Sequence, residues 1–213
     1  MDPTILSDLL EQYCTDHSTP PDETLLAIDH YSNLNTTKPQ MVSGAWQGSL
    51  LQILSLMLAP SYIVELGTFT GYSAICLARG LKADGKLVTI ESDAEMISKT
   101  KDLLADTPEL SKIQFRHGEA LALIPDLDDE IDLIFIDAKK DEYLKYYEAL
   151  LPKLKHGGVM LVDNILWYGK VLHDEKDKVA AHLDEVNKAI TADDRVTNCL
   201  IPIRDGLMMV RKL

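Results

Sequence analysis

From about Ser61 onward, short apolar runs alternate with longer amphipathic ones. "YIVEL" (62–66), "KLVTIE" (86–91), "IQFRH" (113–117), "IDLIFID" (131–137) and "VMLVD" (159–163) read as strands. Spans near 71–82, 94–105, 119–124 and 141–154 read as helices. In the last of these, Leu144, Tyr147, Leu151 and Leu154 recur at helical spacing. Near-continuous apolar strands between helices predict an α/β fold, with a parallel sheet covered on both faces and right-handed crossovers. After a helix near 176–191, "VTNCLIPI" and "GLMMVRKL" read as a hairpin, so the last strand is expected antiparallel to its neighbour. The first 60 residues carry helical patterns instead: "ILSDLLEQYC", "DETLLAIDHYSN" and "QGSLLQILSLML", with "NTTKPQMVSG" as a loop between the last two. A single domain over 1–213 is expected, with 1–60 as a helical cap and 61–213 as the core that binds ligands.

Composition narrows the function classes. A chain of 213 residues with 46% hydrophobic content can bury a sizeable core. The apolar run Leu50 to Ala59 is broken by Gln52 and Ser55 and is short for a bilayer span, so no membrane partner is expected. The opening "MDPTILSDLLEQ" has neither a positive n-region nor an apolar h-region, so no signal peptide is expected. Three scattered cysteines, Cys14, Cys76 and Cys199, fit a reducing compartment and a cytoplasmic location. The net charge of −13 disfavours phosphate backbones and makes small molecules the default ligands.

Ligands of open parallel sheets bind beyond the carboxyl ends of the strands. The first such turn here, "VELGTFTGYS" (64–73), holds Gly67 and Gly71, but Phe69 stands where a dinucleotide fingerprint needs its second glycine. Glu65 at that mouth would repel a phosphate and suits a ligand with positive charge. S-adenosylmethionine fits, with a sulfonium, an ammonium and no phosphate. Glu91, 26 residues after Glu65, ends the second strand and can accept ribose hydroxyls.

Two further strand ends carry oxygen donors: Asp137 on one, Asp163 and Asn164 on the other. Two carboxylates and an amide form a hard-oxygen set that selects Mg²⁺, with Ca²⁺ or Mn²⁺ as alternatives, over zinc or copper. The same residue types also serve as turn and capping residues.

"VELGTFTGYS", the strand-end Glu91, "FIDAKKDEY" and "VDNILWYG" occur in order, and from about Met41 to the C-terminus the chain resembles the cation-dependent O-methyltransferases of the catechol and caffeoyl-CoA type. The resemblance implies a class I methyltransferase fold, Rossmann-like, with seven strands, the last antiparallel. It implies Asp137, Asp163 and Asn164 as metal ligands, with Asp137 also touching the cofactor. Glu65, Gly67 and Ser73 would meet the methionine end of the cofactor, Glu91 its ribose, and Gly118, Glu119 and Ala120 of "HGEAL" its adenine. Met41 and Val42 would lie over the cofactor, Lys140 would be the catalytic base, and Trp167 and Asp205 would line the acceptor pocket. Lys139 is left as a solvated charge.

The implied reaction is methyl transfer from S-adenosylmethionine to a vicinal-dihydroxy aromatic of catechol or caffeoyl type, by a homodimer. A nearby cation and partial burial are expected to lower the pKa of Lys140; its competing role is an ion pair with Asp141 or Glu142. Asp205 has a competing role as a hairpin-turn residue. The alternatives are a tRNA hydroxyuridine acceptor at the same site, which needs Lys38, Arg79, Lys82 and Lys86 to cluster, an NAD-dependent oxidoreductase, and a binding module without turnover.

Overall fold

A computed structural model describes residues 8–213. The first helix expected from the sequence starts at Ile5; residues 5–7 of it lie outside the described residues. Helices α1 (Asp8–Asp16), α2 (Glu23–Asn35) and α3 (Gly44–Leu58) precede the first strand. The chain then alternates as β1 (Tyr62–Leu66), α4 (Tyr72–Ala78), β2 (Lys86–Glu91), α5 (Ala94–Leu103), β3 (Ile113–His117), α6 (Ala120–Leu123), β4 (Ile131–Ile136), α7 (Tyr143–Leu150) and β5 (Leu154–Asp163). It ends with α8 (Lys178–Thr191), β6 (Val196–Ile201) and β7 (Leu207–Lys212).

The seven strands form one sheet in the order β3-β2-β1-β4-β5-β7-β6. All neighbouring pairs are parallel except those made by β7, which runs antiparallel to both β5 and β6. The expected class I methyltransferase topology is therefore present. Strands β1 and β4 are buried at every position, which is why they read as near-continuous apolar runs, broken only by Glu65 and Asp132. The edge strand β3 mixes exposed and half-buried positions, as only one side of it is covered.

Alternate side chains feed two cores. Val64, Ile90, Ile134 and Val162 pack with Tyr143, Tyr146 and Leu150 of α7 and Leu183 and Val186 of α8. Ile63, Leu87, Phe135 and Leu161 pack with Leu25 and Ile28 of α2, Leu51 of α3 and Ile75 of α4. Burying each such side chain stabilises the fold by roughly 1.5–3 kcal/mol. Helices α2 and α3 thus cover a sheet face, while α1 buries no residue. The stretch Pro39–Leu58 is long and apolar enough by composition alone to cross a membrane, but it opens with a short 3₁₀ turn (Pro39–Met41), and α3 buries Gln47, Gly48, Leu51 and Ser55 inside the protein.

The helix expected over 71–82 ends at Ala78, and the largest difference from expectation lies at the junction of α7 and β5. The helix expected through 154 ends at Leu150, and β5 starts at Leu154 rather than at 159. Leu154 continues the helical spacing, yet it pairs with Ile131 of β4. The Ile131 amide also bonds the Lys153 carbonyl at 3.0 Å. Gly157, at φ +77, then bends the strand where the register shifts.

Candidate active site

The sheet order reverses between β1 and β4, and the turns beyond those strand ends frame a cavity of about 650 Å³. Gly67 follows β1 at φ +93. A Cβ there would overlap the carbonyl oxygen of Asp137. Glycine is needed twice over: for the backbone angle, and for the close approach of the two strand ends. The Asp137 amide seals that approach by bonding the Leu66 carbonyl at 2.9 Å.

The rest of the turn is pinned from the second strand. The Phe69 amide donates to Glu91 Oε2 at 3.0 Å, and the Thr100 hydroxyl donates to the Phe69 carbonyl at 2.7 Å. The other oxygen of Glu91 accepts the Asp93 amide at 3.0 Å. Glu91 therefore shapes the turn as well as facing the cavity.

Glu65 is placed differently from expectation. It is fully buried and lies under the cavity floor instead of at its mouth. Ser73 Oγ donates to one of its oxygens at 2.7 Å and Thr89 Oγ1 to the other at 2.6 Å. Burial pushes its pKa up to about 7, helped by Asp137 and Glu91, although the two hydroxyls pull the other way. Ser73 and Val42 line a smaller recess beside the cavity, so Ser73 stands between Glu65 and any ligand.

The hard-oxygen set is assembled by strand pairing. Ile136 of β4 lies opposite Val162 of β5, so Asp137 and Asp163, each one residue on, are neighbours. Asn164 holds a left-handed conformation at φ +57, which asparagine tolerates better than most residues. Its amide donates to Asp163 Oδ1 at 2.8 Å, and Gln47 Nε2 donates to Asp163 Oδ2 at 2.7 Å. Burial and the charge of Asp137 raise the pKa of Asp163. Among the described residues no three His, Cys, Asp or Glu side chains form a metal-holding group. The donor set is two carboxylates and an amide, all three on the cavity wall, and that chemistry fits Mg²⁺ or a similar hard cation.

Lys140 opens a 3₁₀ turn just after β4. Its ammonium donates to Asp137 Oδ1 at 2.5 Å and to the Tyr143 hydroxyl at 2.6 Å, so neither Asp141 nor Glu142 is its partner. Burial disfavours the charged form, but Asp137, Tyr143 and Asp163 outweigh it and raise the pKa. Burial thus acts in the expected direction, but without the cation on which the expected lowering also rests, the chain alone stabilises the ammonium. Lys139 is not a free charge: it pairs with Glu119 at 2.5 Å on the cavity rim.

The side of the cavity expected to take the acceptor is built from two loops. Trp167 and Tyr168 both have positive φ, +48 and +54. Their loop is clipped to the β6–β7 hairpin by Ile165 N to Gly206 O at 3.1 Å and Leu166 N to Asp205 O at 2.9 Å. Asp205 also accepts the Tyr168 amide through its carboxylate. Its turn-anchoring role is thus real, and it lines the cavity too. Burial raises its pKa to about 6. Trp167 Nε1 is buried with no hydrogen-bond partner among the described residues. Arg204 Nη1 reaches back to the Val42 carbonyl at 2.8 Å and also bonds the Ser43 carbonyl, tying the hairpin to the loop that carries Met41.

The remaining expected residues, Met41, Gly118, Glu119 and Ala120, also line the cavity. A sequence model described as O-methyltransferase matches residues 15–213. The chain belongs to the O-methyltransferase family. It is 32% identical to caffeoyl-CoA O-methyltransferase 1 of Zea mays, over 97% of this chain and 86% of that protein. Its backbone resembles the O-methyltransferase TomG of Streptomyces achromogenes, solved with S-adenosylmethionine (SAM), at TM-score 0.85, 28% identity and 96% coverage of each chain. It is equally close to the Bacillus cereus O-methyltransferase solved with S-adenosylhomocysteine (SAH): TM-score 0.85, 27% identity, and 96% and 97% coverage.

Three residues at this methyltransferase's site escaped the sequence reading: Gln47, Tyr143 and Arg204. Gln47 had a signal, being a polar residue on the apolar face of α3. Tyr143 sits three residues after Lys140, at a helical return distance. Arg204 had none, because its partners lie about 160 residues away.

Proposed function

We propose that this protein is an S-adenosylmethionine-dependent O-methyltransferase that requires a divalent cation and acts on a small vicinal-dihydroxy aromatic. The observation that carries this reading is the set Asp137, Asp163 and Asn164 beside Lys140, on one wall of a cavity whose other wall holds Glu91. The volume suits a cofactor with a small acceptor. The caffeoyl-CoA-type relatives and the solved neighbours with bound cofactor support the donor.

When bound, the donor supplies an activated methyl group, and a divalent cation supplies Lewis-acid polarisation of the acceptor hydroxyls. The chain does the rest. Glu91, which lines the cavity, would accept the ribose hydroxyls. Buried Glu65, behind Ser73, presents negative potential to a cationic ligand. Trp167 and Tyr168 offer aromatic faces to a planar acceptor. Holding donor and acceptor in line contributes roughly 7–11 kcal/mol to lowering the barrier. Lys140 is placed to take the hydroxyl proton. Asp137 and Asp163 would hold the cation, and carboxylates so engaged would no longer favour the protonated form of Lys140.

The RNA alternative needed Lys38, Arg79, Lys82 and Lys86 to cluster. Lys38 lies on the cavity wall, while Lys86 starts β2 at the opposite end of the sheet and pairs with Asp128. Arg79 is taken up by Asp22 and Glu109. The deciding assay offers catechols, caffeoyl esters and bulk tRNA with S-adenosylmethionine, with Mg²⁺ or with a chelator. Cation-dependent methylation of catechols or caffeoyl esters is expected. Chelator-insensitive turnover, or transfer to tRNA alone, refutes the proposal.

A further inference from the structure

We propose that Gln47, on the N-terminal helix α3, is a positioning residue of the cation site. The inference rests on the cation reading above and extends it to a helix that is separate from the strand ends forming the site.

Gln47 is only 1% exposed, on a helix face otherwise made of small and apolar residues. A primary amide left unbonded there is costly, so its partner matters. That partner is Asp163 Oδ2, 116 residues away in sequence and 2.7 Å away in space. The placement is rigid because α3 sits unusually close to α4. A Cβ on Gly48 would stand 2.6 Å from Tyr72 Cε1 and 3.1 Å from Cys76 Sγ. Two turns along α3, Ser55 comes so close to Gly80 that a Cβ there would overlap its backbone, and Ser55 Oγ bonds the Leu77 carbonyl at 2.6 Å. These two contacts set the depth and rotation of α3, and Gln47 follows from them.

The chemistry of the donor is the second part of the argument. Asp163 accepts one bond on each oxygen, from Gln47 and from the Asn164 amide, so the plane of its carboxylate is fixed. Each oxygen keeps a lone pair. The donor is a neutral amide. A lysine at 47 would orient Asp163 equally well, but would neutralise it and compete with a cation. Glutamine orients the ligand and leaves its charge for the metal, which is how groups behind metal ligands act.

The test uses the full chain and Mn²⁺ as probe, with affinities from calorimetry for wild type, Gln47→Met and Gln47→Asn. Methionine keeps the length and loses the donor; asparagine keeps the amide but withdraws it by one methylene. Both variants are expected to lose about 10- to 100-fold in Mn²⁺ affinity, with unchanged affinity for SAH. Wild-type Mn²⁺ affinity in either variant overturns the proposal. So does an equal loss of Mn²⁺ and SAH binding, which means general disruption. If wild type itself takes up no Mn²⁺, the cation reading fails and this inference falls with it. If wild type binds and the variants match it, this inference alone falls.

Discussion

The proposed cofactor rim and the proposed cation–acceptor rim lie at the same end of the sheet and are built by different means. The cofactor rim is mostly local: Glu65, Gly67, Phe69 and Ser73 come from one turn, braced by Thr89, Glu91 and Thr100 of the next strand and helix. The cation–acceptor rim gathers α3, the ends of β4 and β5, the loop after β5 and the β6–β7 hairpin. The cofactor side is therefore a property of a motif. The acceptor side is a property of how distant elements dock, and substitutions far from it in sequence should reach it.

The largest expected effect tests the proton role on the cation side. Lys140→Ala should lower turnover by about 10²- to 10⁴-fold, the usual range for losing a positioned acid–base group. It removes the ammonium paired with Asp137, so Mn²⁺ binding should be retained or tightened. Near-normal turnover with intact cation binding would show that the proton leaves by another route.

Next comes a buried group under the cofactor rim. A carboxyl whose folded pKa lies above its unfolded value favours the folded state at low pH. Glu65, at about 7 against 4.5, gives stability that is full below about pH 4.5 and lost as pH rises through 7. The loss is roughly 3 kcal/mol at most. In urea unfolding, Glu65→Gln should therefore decline less than wild type between pH 4.5 and 8. Identical slopes would mean that Glu65 is not buried as described. The variant should also bind S-adenosylmethionine more weakly, since the negative potential behind Ser73 is gone.

The smallest effect sharpens the contrast. Arg204→Met removes the tie between the hairpin and the Val42 and Ser43 carbonyls, worth about 1–3 kcal/mol locally. Amide exchange should speed up at residues 40–43, with KM for the acceptor rising and the cofactor turn at 67–71 unaffected. Faster exchange at both places would erase the distinction between the two rims.

How much of this was legible in the chain follows the same division. Three of the five core strands matched residue for residue: β1 and β2 because a strand buried on both faces is mostly apolar, and the edge strand β3 because its short run is set off by the segments on either side. The β5 start was misread because Leu154 fits helical and strand spacing equally, and only pairing with Ile131 separates them. Glu65 was recognisable as important but not as buried, since nothing local shows that Ser73 and Thr89 will enclose it. Lys140 was distinguished from Lys139 by the family resemblance, in which it matches the lysine three residues after Asp137, whereas the Tyr143 contact and the Lys139–Glu119 pair needed the folded turn.

The sequence by itself determined the alternation of strands and helices, the glycine turn, and the order of oxygen donors at strand ends. Each of these is written in residues a few positions apart, within reach of local sterics and periodicity. Tertiary structure alone decided that Asp137 and Asp163 are neighbours, that Gln47 turns the Asp163 carboxylate, and that Arg204 holds the loop over the cavity. Those contacts join residues from 26 to about 160 positions apart. They form only when sheet order and helix packing bring them together, and no local pattern encodes that distance.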